Sequence, residues 1–244
     1  MKIALAGCGN SGKSTLLQAF LRHWPMYKTP TTTYRDLIVS KGLQHSSKTS
    51  DETQALILDW MIKEQDKYGK DENVVYDRCP WDCLAYTLQA NEANLVSDET
   101  AAAIIDIVKN SLKHIDIIFW LRYDPSIRIV DDGMRDTDLD FIKKSDQIFA
   151  DLYHQYAEHL EISPFYIAQD TPAIVEVIGS SIDDRIAWIG EFLNERGELI
   201  ETEKSILDPE NVQILEQMLK DQGMQIEKDN EFKNLTKQIN NFKL

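Results

Sequence analysis

Two kinds of apolar pattern divide the chain. Short unbroken runs occur at Ile3-Ala4-Leu5-Ala6, Val74-Val75-Tyr76, Ile115-Asp116-Ile117-Ile118-Phe119-Trp120-Leu121 and Phe165-Tyr166-Ile167-Ala168. Their length and β-branched or aromatic content predict strands buried on both faces, as in a parallel sheet. Between them apolar residues return every three or four places, which predicts amphipathic helices. One follows residue 14 (Leu16, Leu17, Phe20, Leu21), and another follows a cap at Ser50 or Asp51 (Ala55, Leu56, Leu58, Met61, Ile62). Pro80 starts a third, carrying Leu84, Ala85 and Leu88, and a fourth covers about 98–113 with Ala101, Ile104, Val108 and Leu112. A long helix over 140–159 carries Phe141, Ile148, Phe149, Leu152 and Tyr156; a last one runs over about 182–194 with Ile186, Ile189 and Leu193. Pro25 and Pro30 bracket an extended segment read as one more short strand. The alternation predicts an α/β fold, a parallel five-stranded sheet flanked by helices.

The pattern changes after Gly197. Asp208-Pro209 opens a helix with Val212, Leu215 and Met218 that Gly223 stops, and residues 228–244 carry a narrow stripe of Phe232, Leu235, Ile239 and Phe242. The expected organisation is a domain over 1–200 and a C-terminal helical hairpin over 201–244. The hairpin either packs back or joins copies of the chain in a homo-oligomer.

Charge narrows the partners. Asp and Glu number 41 against 26 Lys and Arg, a net charge of −15. Such a field opposes a nucleic-acid backbone as the main ligand, whereas a small anion needs only a few local donors. The three cysteines form no secreted-type framework. Cys79 and Cys83 share a helix face, but without a second pair or a histidine at ligand spacing they read as packing residues. No apolar run approaches the length of a membrane span, and the chain opens on a core strand, so the expectation is a soluble, cytoplasmic protein.

The candidate chemistry begins at Gly7-Cys8-Gly9-Asn10-Ser11-Gly12-Lys13-Ser14, which fits G-x-x-x-x-G-K-[ST] between a predicted strand and a helix opened by Thr15. In that setting Gly7, Gly9, Asn10, Ser11, Gly12 and Thr15 offer backbone N–H groups around phosphate oxygens, at a helix N-terminus. Lys13 is expected to reach the β- and γ-phosphates of ATP, and Ser14 to hold Mg²⁺.

A second cluster follows. Asp77 and Arg78 end a strand at the edge where the phosphate loop lies, just before Pro80. Asp77 is expected to serve as a base or as a Mg²⁺-side carboxylate, Arg78 to contact a phosphate or the acceptor. Asp82 reads as a helix cap. Thr31, Thr32, Thr33 and Arg35 read either as the lining of an acceptor site or as a hydroxyl-rich loop. Gln54 reads as a solvated first-turn residue, with base-edge reading as the alternative. Residues 41–50 are polar and small, hence a loop. Residues 122–140 hold three arginines and read as a lid that carries Arg128 and Arg135 to the phosphates, the alternative being local pairing with Asp131, Asp132, Asp136 and Asp138. Asp116 reads as structural, His154 and His159 as surface residues, and Gln169-Asp170-Thr171-Pro172 as a place to receive an adenine.

The order of these pieces resembles the nucleoside and nucleotide kinase branch of P-loop proteins, such as thymidylate kinase and deoxynucleoside kinases. Asp77-Arg78-Cys79-Pro80-Trp81-Asp82-Cys83-Leu84-Ala85-Tyr86 is similar to a segment of the ribosylnicotinamide-kinase-like ATPase group. The resemblance covers about residues 1–195. It implies that Asp77 is the catalytic or metal-side acid, Arg78 a phosphate or acceptor contact, and Arg128 and Arg135 lid arginines. Many relatives place an acidic residue after the second strand, where this chain has Lys28-Thr29-Pro30-Thr31. The expected activity is transfer of the γ-phosphoryl of Mg·ATP to a nucleoside or nucleoside monophosphate. The rival is a regulatory ATPase with water as acceptor.

Overall fold

The computed structural model describes residues 1–127, 129 and 137–200. Four strands form one sheet: β1 (Lys2–Gly7), β2 (Val74–Asp77), β3 (Ile117–Leu121) and β4 (Ala173–Glu176). Their order is β2-β1-β3-β4, every pair parallel, with Ala4 opposite Tyr76 on one side and Ile118 on the other. Parallel pairing sends every connection over a face of the sheet; among the described residues there are seven helices, the first six in the crossovers and the seventh after the last strand. They are α1 (Lys13–His23), α2 (Tyr34–Lys41), α3 (Asp51–Asp66), α4 (Pro80–Glu92), α5 (Asp98–Ser111), α6 (Leu139–His159) and α7 (Ile182–Gly190).

Strand alternation sorts the core. Ala4, Ala6, Val74, Tyr76, Ile118, Trp120 and Ile174 share one face and join a buried cluster with Leu58 of α3, Leu84 of α4, Val108 of α5 and Phe149 of α6. The intervening Ile3, Leu5, Val75 and Phe119 are as deeply buried, and α1 packs on β1 and β2. Caps fall where polar residues precede the apolar stripes. Ser50 Oγ accepts from Thr53 N at the start of α3, and Asp82 closes a capping box on Cys79 at the start of α4. Asp116, exposed ahead of β3, accepts from Lys2 N at 2.6 Å, which is the structural role its position implied.

Two strand expectations change. The segment between Pro25 and Pro30 contributes one bridge, Lys28 to Val74, beside β2. Among the described residues the sheet therefore has four strands rather than five. Residues 165–168 form no strand: Tyr166 is buried with its hydroxyl held by Trp81 Nε1 and Leu152 O, and the last strand forms after Pro172. Gln169-Asp170-Thr171-Pro172 thus precedes β4, at the amino edge of the sheet. It cannot receive an adenine there, because the phosphate loop leaves the carboxyl edge.

Contacts divide the chain into two compact units, Met1–Ile186 and Ala187–Leu244. The described part of the second holds a turn in which Leu193 bridges Leu199. The predicted hairpin over 201–244 lies outside the described residues. Among the described residues no helix is long and apolar enough to cross a membrane.

Candidate active site

Gly7 ends β1 opposite Leu121 of β3. Its φ is +136°, and a Cβ there would lie 2.2 Å from Leu121 O, so only glycine lets the chain turn off the sheet at this point. Asn10 (φ 58°) and Gly12 (φ 86°) are also left-handed, and Gly12 is the N-cap of α1. The chain thereby turns from the strand end through a tight loop onto a helix N-terminus, a cradle in which backbone amides can surround an anion. Lys13 is buried inside it. Its Nζ donates to Gly7 O at 2.9 Å, to Ser11 Oγ at 3.0 Å and to Cys8 O. Burial, with the Arg78 charge adding to it, lowers this ammonium from its ordinary value to about 8.

Beside the loop, Ser14 Oγ donates to Asp77 Oδ2 at 3.2 Å. The first turn of α1 and the carboxyl end of β2 therefore bring the two predicted metal-side oxygens together. A hydroxyl and a carboxylate are hard oxygen donors, and they fit Mg²⁺.

Arg78 follows in a left-handed conformation (φ 82°), unusual outside glycine. Its guanidinium lies between the rings of Tyr34 (5.4 Å) and Tyr86 (5.2 Å). Nη1 donates to Gly7 O at 3.1 Å and to Asp82 Oδ1 at 3.0 Å. Asp82 does more than cap α4: Oδ1 also accepts from Gly7 N at 3.1 Å, and Oδ2 from Cys79 N at 3.0 Å. Burial pushes this carboxyl up, opposed by the Arg78 and Lys13 charges. One buried ion pair thus fastens the strand-to-loop turn to α4.

A cavity of about 480 Å³ opens from the phosphate loop past Asp77 and Arg78. Its far wall includes Gln54, Ile57 and Met61 of α3 with Tyr86 and Phe141, whose rings stack at 6.3 Å and 19°. Gln54 is buried, not solvated: its Nε2 donates to Thr49 Oγ1 at 2.9 Å and its Oε1 accepts from Thr87 Oγ1 at 3.2 Å. Arg35 and Thr33 line the same cavity. The threonine run is divided, since Thr33 caps α2 with Asp36 and Thr32 donates to Glu64 Oε1 at 3.3 Å.

Arg128 and Arg135 lie outside the described residues. Arg122, at the start of the predicted lid, donates to Asp146 of α6 at 3.0 and 2.9 Å and covers the ring of Trp120. His154 and His159 are exposed on α6, as read. All three cysteines are free and buried, and burial raises the Cys8 thiol to about 11. Sequence reasoning missed Arg185 of α7, which is buried and donates to Ser11 O of the phosphate loop at 3.1 Å.

A parallel sheet with a strand, phosphate loop and helix at its carboxyl edge defines a P-loop nucleotide-binding fold. A profile of the AAA domain family matches residues 2–164, and the chain belongs to that family. No curated protein sequence matches it significantly. Its fold is that of the P-loop nucleoside and nucleotide kinases. Deoxyadenosine kinase from M. mycoides superposes with TM-score 0.58 at 19% identity, over 78% of this chain and 96% of that one. Thymidylate kinase from Candida albicans gives 0.54 at 24%, over 82% and 94%. NadR protein in complex with NR gives 0.54 at 14%, over 78% of this chain and 51% of NadR.

Proposed function

We propose that the protein is a phosphotransferase that moves the γ-phosphoryl of Mg·ATP to a nucleoside or nucleoside monophosphate. The observation that carries this reading is the contact of Ser14 with Asp77 beside Lys13, all three lining a cavity of about 480 Å³ that has room for an acceptor as well as the donor phosphates. The phosphate-loop amides and Lys13 bind the donor phosphates. Ser14 and Asp77 would hold Mg²⁺, which supplies charge neutralisation at those phosphates. The aromatic wall of Tyr86 and Phe141 suits a planar base, and the Gln54 amide, its Oε1 taken by Thr87 and Cys83 and one Nε2–H by Thr49, has its second N–H to offer the base edge. Arg78, its Nη1 committed to the loop and Asp82, contributes positive charge near the acceptor. Arg128 and Arg135 belong to the same proposal as lid donors.

Relatives in fold carry names of the same chemistry, which supports the reading. The test is ATP turnover against a panel of ribo- and deoxynucleosides, their monophosphates and nicotinamide riboside, with Lys13→Ala as the blank. Stoichiometric phosphorylation of one acceptor is the expected result. Slow hydrolysis indifferent to every acceptor would overturn it in favour of a regulatory ATPase. Asp77→Asn divides the role of that carboxylate. A nucleoside hydroxyl needs a base, and turnover should then fall about 10²-fold or more. A monophosphate oxygen is already anionic, so a loss repaired by raising Mg²⁺ would mark Asp77 as metal-side only.

A further inference from the structure

We infer that Arg185 is a positioning residue of the phosphate loop, clamping its Ser11-Gly12 corner to the turn that follows β3. This rests on the proposed reading of the loop as a nucleotide site.

The sequence around Arg185 builds a rigid mount. Gly179 has φ +132°, and a Cβ there would lie 2.8 Å from Asp184 Cβ and 3.0 Å from Arg185 N, so glycine alone lets α7 rise this close to the strand end. Ser181 and Asp184 then cap each other: Ser181 N donates to Asp184 Oδ2 at 2.9 Å, and Asp184 N to Ser181 Oγ at 3.1 Å. Arg185 therefore stands in the first turn of a fixed helix.

Its guanidinium is buried and spreads over three segments. Nε donates to Gly179 O at 3.1 Å, Nη1 to Ser11 O at 3.1 Å, and Nη2 to Asp124 Oδ2 at 2.9 Å. Asp124 is itself fixed by Ser126, which donates from N at 2.9 Å and from Oγ at 2.6 Å. A Cβ on Gly12 would meet Arg185 Nη1 at 3.0 Å and Ile127 Cδ1 at 3.1 Å. The outer wall of the cradle is thus made by Arg185 and Ile127. Only a planar fork reaches three acceptors in divergent directions; an ammonium satisfies them one at a time. A trans peptide points its N–H opposite its carbonyl, so fixing Ser11 O also fixes the direction of Gly12 N–H.

The test is titration of wild type, Arg185→Ala and Arg185→Lys with a fluorescent ATP analogue, well below the melting temperature of each. Arg185→Ala should weaken binding about tenfold or more and Arg185→Lys less, as expected for losing hydrogen bonds to a charged group. Millimolar guanidinium chloride should recover part of the affinity of Arg185→Ala and leave wild type unchanged. Where the alanine variant does not fold, Arg185→Lys is the deciding variant. A variant that melts lower but binds like wild type would overturn the inference and leave the nucleotide reading standing. Failure of wild type itself to bind would overturn both.

Discussion

Lys13 shows how burial makes one residue report on its ligand. In the free loop its ammonium titrates near 8, while an exposed lysine stays charged to about 10.5. Polyphosphate favours the charged form, so binding takes up a proton above pH 8 and none below. Affinity for ATP should be flat below about 8 and fall above it, approaching tenfold per pH unit. Measured dissociation constants across that range check this, with Lys13→Arg, always charged, removing the bend. Gly7 gives a second expectation at this scale. Gly7→Ala meets Leu121 O and a forbidden φ together, and should destabilise by about 3 kcal/mol or more in urea unfolding. Both residues were legible because the phosphate motif is local and its spacing is the mechanism. Arg185 was not, since its partner Ser11 is 174 positions away and no spacing rule connects them. Gln54 was misread as solvated for a related reason: first-turn polarity usually means solvent, but Thr49 and Thr87 enclose this amide from either side.

Among the elements, α4 is the one that joins the site to the core. Its first turn fastens the phosphate loop through Asp82 and buries Trp81 against Phe149 (5.1 Å) and Trp120 (6.1 Å). Trp81 Nε1 donates to Tyr166, whose hydroxyl donates to Leu152 O, so a chain of two bonds crosses the core from α4 to α6. Trp81→Phe should cost about 2–3 kcal/mol through the lost donor and the gap left behind. Tyr166→Phe should cost less, and the double variant less than the sum, because the two share one bond. Urea unfolding of all four proteins would show it, and strict additivity would refute the coupling. The same pair explains the misplaced strand. Phe165-Tyr166-Ile167-Ala168 has strand composition, but Tyr166 is spent as a plug, and the plainer Ala173–Glu176 takes the sheet position. Composition measures what a segment can bury, not what it pairs with. Helices α1 and α3 to α6 were legible because their stripes repeat over several turns; α2 was not, since Ile38 is its one buried residue, and α7 was read four residues too long.

For the molecule as a whole, charge and site oppose one another. The net charge of −15 repels an anionic nucleotide at long range, while Lys13, the cation proposed above to receive it, is buried and acts only at contact. Screening reaches the first effect far more than the second. The Debye length falls from about 30 Å at 0.01 M salt to about 10 Å at 0.1 M. The association rate constant for ATP should therefore rise several-fold over that range, and the dissociation rate constant should stay nearly constant. Simple phosphate sites in basic proteins behave the other way, losing steering as salt increases. Stopped-flow traces with a fluorescent ATP analogue at fixed Mg²⁺ separate the two constants. An association rate that falls with salt would mean that a local positive funnel, with the proposed lid arginines Arg128 and Arg135 in it, dominates the approach. The effect should then vanish in Arg128→Gln/Arg135→Gln, leaving the repulsive slope of the rest of the molecule.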